Sequence, residues 1–421
     1  MEVFALAAFA IQGGRSLSGE VHIQGSKNAA LPILSACILA RGVTKLYNCP
    51  HIRDVYNMIK ILETMGCYTE LGSDYVLVDT SPILTGVISP VDAASMRSSV
   101  MLMGAALGRL KSVTLPWPGG CSIGKRPVDM HLNALREMNV DIKTTKDGLE
   151  CQTTGLTGGH IHFDYPSVGA TENVILAAVL AGGTTTIDNA AKEPEIVDLC
   201  LFLNEMGASI HGMGTSRMTI HGVRRLKSVS YRIMSDRIVA GTYLAAGAAT
   251  GGNVLACDVC EQDLRSTLDA LATMGCGIVV KKAQIRVIAP QILLPVESIH
   301  TRPFPGFPTD MQSQLLVCLT AARGESVIWE DIFEDRFRIV PQLRKMGADV
   351  LINQNKAVIR GGNVLCGSTV EACDLRGGAA LVIAGLMAEG DTLVEGSGYI
   401  ERGYEDICRD LSGLGARIHR V

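Results

Sequence analysis

The chain has 421 residues, enough for two or three domains and a large buried core. Apolar residues make up 47% and aromatic residues 5%, with 45 glycines, which suits aliphatic cores joined by tight turns and excludes a disordered or fibrous chain. The formal charge of −4 offers no general attraction to nucleic acid or acidic membranes, so any anion must be held by local groups of Arg and Lys.

The chain opens on Val3-Phe4-Ala5-Leu6-Ala7-Ala8-Phe9-Ala10-Ile11, an apolar run without a basic leader or cleavage segment, which reads as a buried strand. No apolar run reaches the ~18–20 residues of a membrane span. The thirteen cysteines are odd in number and irregular in spacing, which points to free thiols in a reducing cytosol. Cys257-Asp258-Val259-Cys260 is a single CxxC without a second half-site, and it reads as packing at a strand end rather than a metal or redox pair.

One motif recurs along the chain. It appears as Leu62-Glu63-Thr64-Met65-Gly66-Cys67, Leu135-Arg136-Glu137-Met138-Asn139-Val140 and Leu203-Asn204-Glu205-Met206-Gly207-Ala208. It returns as Leu271-Ala272-Thr273-Met274-Gly275-Cys276, Leu343-Arg344-Lys345-Met346-Gly347-Ala348 and Leu411-Ser412-Gly413-Leu414-Gly415-Ala416. The fifth residues lie at 66, 139, 207, 275, 347 and 415, so the intervals are 73, 68, 68, 72 and 68 and six units fill the chain. Each motif predicts a helix end closed by a left-handed glycine, or by Asn139, which tolerates the same conformation. An earlier landmark, Arg41-Gly42, Gly108-Arg109, Gly182-Gly183, Gly251-Gly252, Arg323-Gly324 or Glu389-Gly390, ends an Ala-rich first helix before a strand. Each unit thus predicts helix, strand, helix, strand and a further strand.

The starts of those first helices are Ser26-Lys27-Asn28, Ser95-Met96-Arg97, Ser167-Val168-Gly169, Ser235-Asp236-Arg237, Thr309-Asp310-Met311 and Asp374-Leu375-Arg376. Ser, Thr or Asp stands where an N-cap belongs, and Lys27, Arg97, Arg237 and Arg376 lie within two residues of it. A cation there is electrostatically unfavourable, because the free N–H groups already concentrate positive potential. One such base is explained by solvent or a salt bridge. Four at equivalent positions point to a shared anion.

The second unit is interrupted by Pro116-Trp117-Pro118-Gly119-Gly120-Cys121-Ser122-Ile123-Gly124-Lys125-Arg126-Pro127-Val128-Asp129. Its glycines give mobility, and Lys125 and Arg126 place positive charge beside Cys121, a setting that favours thiolate over a reference pKa of about 8.5.

Gly25-Ser26-Lys27-Asn28-Ala29-Ala30-Leu31-Pro32, this cysteine loop and Pro166-Ser167-Val168-Gly169-Ala170-Thr171 resemble signatures of the enolpyruvyl transferases that act on UDP-N-acetylglucosamine. So do Phe307-Pro308-Thr309-Asp310-Met311-Gln312, Phe333-Glu334-Asp335-Arg336-Phe337, Asp374-Leu375-Arg376 and Arg402-Gly403-Tyr404, all in family order. The resemblance implies an inside-out α/β barrel fold of two similar domains, each built from three βαβαββ repeats. It places one domain at 26–235, carrying the Cys121 loop, and the other at 1–25 plus 236–421, with the active site in the cleft between them.

The implied reaction moves the enolpyruvyl group of phosphoenolpyruvate to the sugar 3′-hydroxyl and releases phosphate. It needs an acid, a base and several cations, and it demands no cofactor and no metal. By resemblance Cys121 is the proton donor, can form a covalent phosphoenolpyruvate adduct and is the target of the epoxide fosfomycin. The cations that favour its thiolate work against that acid role, so its protonation depends on loop closure and bound substrate. Asp310 resembles the base at the sugar hydroxyl. Lys27, Arg126 and Arg402 resemble the groups that grip phosphoenolpyruvate, with Asn28 beside them, and Arg97, Arg237, Arg336 and Arg376 support the cationic site. The nucleotide sugar falls to Arg97, Arg126, Pro127, Val128, Asp129, Met130, Ser167, Val168, Gly169, Asp310 and Ile332. Tyr165 stands where some members carry a lysine, and Trp117-Pro118 replaces a plainer Leu-Pro. The partners implied are these two small molecules, with no nucleic acid and no membrane insertion. The alternatives are transfer to shikimate 3-phosphate, a catalytically silent regulator that binds UDP-N-acetylglucosamine, and a repeat scaffold for proteins.

Overall fold

The computed structural model describes residues 7–117, 119, 124 and 128–421. Within these, 25–117, 119 and 128–234 form one compact unit, and 7–24, 124 and 235–421 form another. The chain passes from one to the other at Gln24/Gly25 and at Met234/Ser235. Each unit has its own aliphatic core.

The third repeat shows the plan. His160–His162, the helix Val168–Ala178, Thr184–Asp188, the helix Pro194–Glu205, Ser209–His211 and Arg217–His221 follow in βαβαββ order. Thr184–Asp188 runs parallel to His160–His162 and antiparallel to Arg217–His221, which pairs in turn with Ser209–His211. Thr185 and Ile187 are buried while their neighbours are more exposed, the period-two alternation of a sheet with one covered face. The same strand order recurs in four other sheets. The three-stranded sheet of Ser112–Pro116, Gly148–Gln152 and Asp141–Thr144 replaces the leading strand with a parallel bridge from Val87 to Thr114.

Two sheets are completed by sequence-distant strands. Ala8–Gln12 inserts between Asp391–Glu395 and Arg417–Arg420, closing the sixth repeat with the start of the chain. Ser18–His22, which precedes the first repeat, pairs with Asn253–Cys257 of the fourth, whereas Ser230–Arg232, which precedes the fourth, pairs with Val43–Tyr47 of the first.

The two helices of a repeat differ in kind. Arg53–Thr64 is amphipathic, with Val55, Met58, Ile59, Ile61 and Leu62 buried and Tyr56, Lys60 and Glu63 exposed. The first helices, Lys27–Cys37, Leu102–Leu110 and Val168–Ala178 in one unit and Arg237–Ala249, Gln312–Ala321 and Leu375–Met387 in the other, are buried on nearly every side. A helix that is apolar all round must lie inside protein. Helices therefore occupy the middle of each unit and the sheets lie outside them, an inside-out α/β arrangement of three repeats per unit. Small residues let the helices touch: a Cβ on Gly104 would come within 2.2 Å of the Asn173 carbonyl oxygen.

The predicted turn residues all adopt positive φ: +104° at Gly66, +68° at Asn139, +101° at Gly207, +91° at Gly275, +96° at Gly347 and +97° at Gly415. The Gly108-Arg109 expectation is corrected. That helix continues to Leu110 and ends on Lys111 at φ +63°, while Gly108 faces Leu39, where a Cβ would lie 3.0 Å from its methyl group. Two cap expectations also change. Ser26, Ser167, Asp236 and Asp374 accept first-turn N–H groups as caps should. Arg97–Met101 and Thr309–Met311 instead begin as 3-10 turns after Met96 and Pro308, which supply no capping hydrogen bond; Ser95 ends the preceding helix, and the Thr309 hydroxyl bonds Glu330. Among the described residues no helix is long and apolar enough to cross a membrane.

Glu172 lies inside the Val168–Ala178 helix, 1% exposed, and among the described residues its Oε2 has no hydrogen-bond partner. Burial, then Glu195 and Glu193, hold its carboxyl well above the usual 4.5. The folded state keeps this proton after the unfolded chain has lost it, so its contribution to stability declines as pH rises above about 4.5 toward the folded value. We expect Glu172→Gln to gain stability relative to wild type between pH 5 and pH 8 in urea unfolding. A wild-type-to-variant difference independent of pH contradicts this.

Candidate active site

In the unit containing residues 235–421, the predicted Arg336 and Arg376 meet at Asp310. The 3-10 turn Thr309–Met311 presents its carboxylate to two arginines. Arg336 Nη2 donates to Oδ1, and Arg376 Nε and Nη2 donate to Oδ2 at 3.3 and 3.1 Å. Arg336 also faces Asp374 at 3.6 Å, and that aspartate accepts the Arg376 and Gly377 N–H groups as the cap of its helix. Arg336 and Arg376 are 3% and 2% exposed, so these charges depend on their partners. Burial alone would lower the Arg376 pKa, but Asp310 and other groups outweigh it and the net shift is upward.

Glu330, which the sequence reading missed, ties the surrounding segments together. It is 3% exposed, and its carboxylate accepts from the Thr301 and Thr309 hydroxyls and from the Ile332 and Phe333 N–H groups. The Thr309 oxygen accepts in turn from Arg336 Nε at 3.2 Å. Asp310, Ile332 and Arg336 are thereby set from one buried carboxylate, whose pKa burial raises despite the four hydrogen bonds. The available signal was an acid following directly on the apolar strand Gly324–Trp329.

Arg402 follows the short helix Ser397–Ile400 and is half-buried. Its neighbour Gly403 packs on Leu375, where a Cβ would lie 2.8 Å from a Leu375 methyl group. Gln24 holds the same loop, donating to the Gly403 carbonyl at 3.1 Å and accepting from the Glu405 N–H at 2.9 Å. Arg402 thus stands beside the helix start that carries Arg376. Arg237 is directed elsewhere, with its guanidinium 5.7 Å from the centre of the Phe304 ring.

In the unit containing residues 25–234, Lys27 is the first residue of its helix, and Asn28 lies half-buried beside it. Gly25 admits this entry, because a Cβ there would collide with the Asn48 carbonyl oxygen at 1.7 Å. Buried Asp54 faces the Lys27 ammonium at 3.4 Å and offsets the unfavourable helix-start potential.

The expected nucleotide-sugar residues meet in another part of this unit. Ser167 caps the Val168–Ala178 helix, whose first turn holds no acidic side chain, so Val168 and Gly169 occupy a positive helix end. His131, on the helix Asp129–Glu137, packs against Gly169: a Cβ there would lie 3.1 Å from the ring. Val128 precedes that helix, and Asp129 and Met130 begin it. Arg97 opens the adjoining 3-10 turn, and burial lowers its pKa. Cys121, Arg126 and Pro127 lie outside the described residues. Trp117 and Tyr165 are exposed. No group of three or more His, Cys, Asp or Glu residues suited to a metal occurs among the described residues. Cys257 ends a strand and Cys260 immediately precedes the next helix, both as free thiols.

Glu330→Gln should weaken the Thr309 contact, because the Thr309 hydroxyl donates to Oε2 while the other three donors use Oε1, and an amide NH2 in the Oε2 place cannot accept that proton. We expect a loss of about 1–3 kcal/mol in unfolding free energy. Urea unfolding that matches wild type contradicts the anchoring role.

The sequence model of the family described as EPSP synthase (3-phosphoshikimate 1-carboxyvinyltransferase) matches residues 11–411. UDP-N-acetylglucosamine 1-carboxyvinyltransferase 2 of Caldanaerobacter subterraneus subsp. tengcongensis is 45% identical over 416 residues, covering 99% of this chain and 100% of that protein. UDP-N-acetylglucosamine 1-carboxyvinyltransferase of Halothermothrix orenii is 44% identical, with coverage of 99% and 100%. Among solved structures, the enolpyruvyl transferase NikO from Streptomyces tendae has a TM-score of 0.89 at 23% identity, covering 99% of both chains. EPSP synthase from Acinetobacter baumannii has a TM-score of 0.78 at 18% identity, covering 99% of this chain and 100% of that one. At these identities the two structures bear on the fold alone.

Proposed function

The chain belongs to the enolpyruvyl transferase family, and we propose that it transfers the enolpyruvyl group of phosphoenolpyruvate to the 3′-hydroxyl of UDP-N-acetylglucosamine, the first committed step of peptidoglycan synthesis. The observation that carries this reading is identity of 43–45% over nearly the whole chain to relatives named for that reaction. Transfer to shikimate 3-phosphate is the alternative suggested by the family description, but EPSP synthase from Acinetobacter baumannii is only 18% identical.

The chemistry breaks the C–O bond of phosphoenolpyruvate, not a P–O bond. A proton adds to the methylene carbon, and the adjacent carbon becomes electrophilic. The sugar oxygen attacks there as its hydroxyl proton leaves. The tetrahedral intermediate then expels phosphate and loses a methyl proton. Cys121 supplies the first proton in this scheme and Asp310 receives the proton of the hydroxyl. Asp310 suits a base that must keep its direction, because its arginine contacts fix both oxygens while the side chain remains 27% exposed. Lys27, Arg126 and Arg402 hold the phosphate and carboxylate of the donor, with Asn28 adjacent, and arginine's planar fork suits both anions. The nucleotide diphosphate sits at the Ser167–Gly169 helix start, near Arg97. The described cysteines are all free thiols, which supports a reducing, cytoplasmic setting.

Phosphate release on mixing the protein with phosphoenolpyruvate and UDP-N-acetylglucosamine tests the reading. Release with shikimate 3-phosphate alone would favour the alternative, and nucleotide-sugar binding without release would favour a silent regulator. Cys121→Ala should reduce turnover by about 10²-fold or more, the scale of a lost general acid. Cys121→Asp should keep part of the turnover and resist alkylation by fosfomycin. Full activity in the alanine variant removes Cys121 from the mechanism.

A further inference from the structure

His131 is absent from the residues expected by resemblance, yet its surroundings determine its hydrogen-bonding state. Asn173, buried in the Val168–Ala178 helix, accepts the Gly104 N–H at Oδ1 over 2.8 Å. That contact sets the orientation of the amide, because a flipped group would turn its own N–H atoms toward the Gly104 donor. The Asn173 Nδ2 then spends one hydrogen on the Val100 carbonyl at 3.0 Å. Its other hydrogen faces His131 Nδ1 at 2.7 Å. Both Nδ2 hydrogens are donated, so Nδ1 must accept, and a neutral ring then carries its proton on Nε2.

The opposite edge of the ring faces the helix start. The Cβ that Gly169 lacks would lie 3.1 Å from Cε1 and 3.4 Å from Nε2. The residue is partly exposed, and among the described residues Nε2 makes no hydrogen bond. We propose that Asn173 holds His131 as the Nε2–H tautomer, and that this N–H is a neutral donor to the diphosphate of the nucleotide sugar at the start of the Val168–Ala178 helix.

The assignment deepens the nucleotide-sugar reading and rests on it. A neutral donor suits this position, because Arg97 and the helix end already supply positive potential. Burial and then Arg97 push the imidazole pKa down to about 4, against an opposing pull from Asp129. The ring therefore stays uncharged at neutral pH without losing its donor. Asn173 acts here as a positioning residue and His131 as a binding residue.

Calorimetry with UDP-N-acetylglucosamine on the full chain, with phosphoenolpyruvate turnover assayed in parallel, tests the contact. His131→Ala should raise Kd about ten- to a hundredfold, the scale of one hydrogen bond to a charged group. His131→Gln, whose amide nitrogen can reach the Nε2 position, should recover most of that loss. An unchanged Kd in the alanine variant, or a glutamine variant as weak as alanine, overturns the contact. Nitrogen-15 spectra of histidine-labelled wild type test the tautomer without any variant, and an Nδ1–H signal for His131 overturns the lock. Asn173→Asp should raise the His131 pKa toward or above 6.5 and make Kd depend on pH in that range. A pH-independent Kd with an unshifted imidazole overturns the positioning role. Wild type that binds the nucleotide sugar but releases no phosphate would sink the proposed reaction alone, whereas wild type that does not bind it would sink both.

Discussion

Six helices in this chain bury apolar side chains around nearly their whole circumference, so each must be enclosed by protein. An amphipathic helix could lie on the outside of a sheet, as Arg53–Thr64 shows by leaving Tyr56, Lys60 and Glu63 exposed. Val168–Ala178 has no such face, being buried from Ala170 to Ala178. Three such helices per unit leave the outside to the sheets, whose strands alternate buried and exposed residues. Close contact between the helices depends on small residues such as Gly104, which lies against the Asn173 backbone.

Enclosure of the helices explains why their starts are chemically distinctive. Among the described residues, Lys27, Arg97, Ser167 to Gly169, Asp310 and Arg376 lie at or beside the starts of largely buried helices, where helix N–H groups are available and charges are partly screened from water. Cations in such places need partners, and the protein supplies them in different ways. Lys27 meets Asp54, Arg376 and Arg336 share Asp310, and Arg237 lies near the face of Phe304. A desolvated arginine without its carboxylate would be strongly destabilising, so Asp310 has a structural duty besides any part in proton transfer. Glu330 lies one layer further out and sets the Thr309 and Ile332 segments through four accepted hydrogen bonds.

The nucleotide-sugar end shows the opposite electrostatic choice. Around Ser167–Gly169 the first turn carries no acid, and the nearby histidine is kept neutral by burial and by Arg97. The proposed donor site therefore relies on full charges, whereas at the Ser167–Gly169 start Arg97 is joined by helix N–H groups and a neutral histidine. This division matches a small, highly charged donor molecule and a larger acceptor that must be recognised by direction as well as charge.

The six-fold repeat, the strand alternation and the left-handed turn at each Leu-x-x-Met-Gly motif were legible in the residues, because these depend on local periodicity and on what φ a side chain tolerates. Asn139 at φ +68° shows how far that local rule reaches. It failed at Gly108, where glycine serves helix packing against Leu39, and at Thr309, whose hydroxyl is claimed by Glu330 from 21 residues away. Tertiary structure alone decided which partner each charge would find, which strands would be exchanged between the first and fourth repeats, and that Asn173 would meet His131. Such contacts join positions from 26 residues apart, as in Asp310 and Arg336, to 235 apart, as in the paired Ser18 and Asn253. No period links those positions, so only the packed chain brings them within bonding distance.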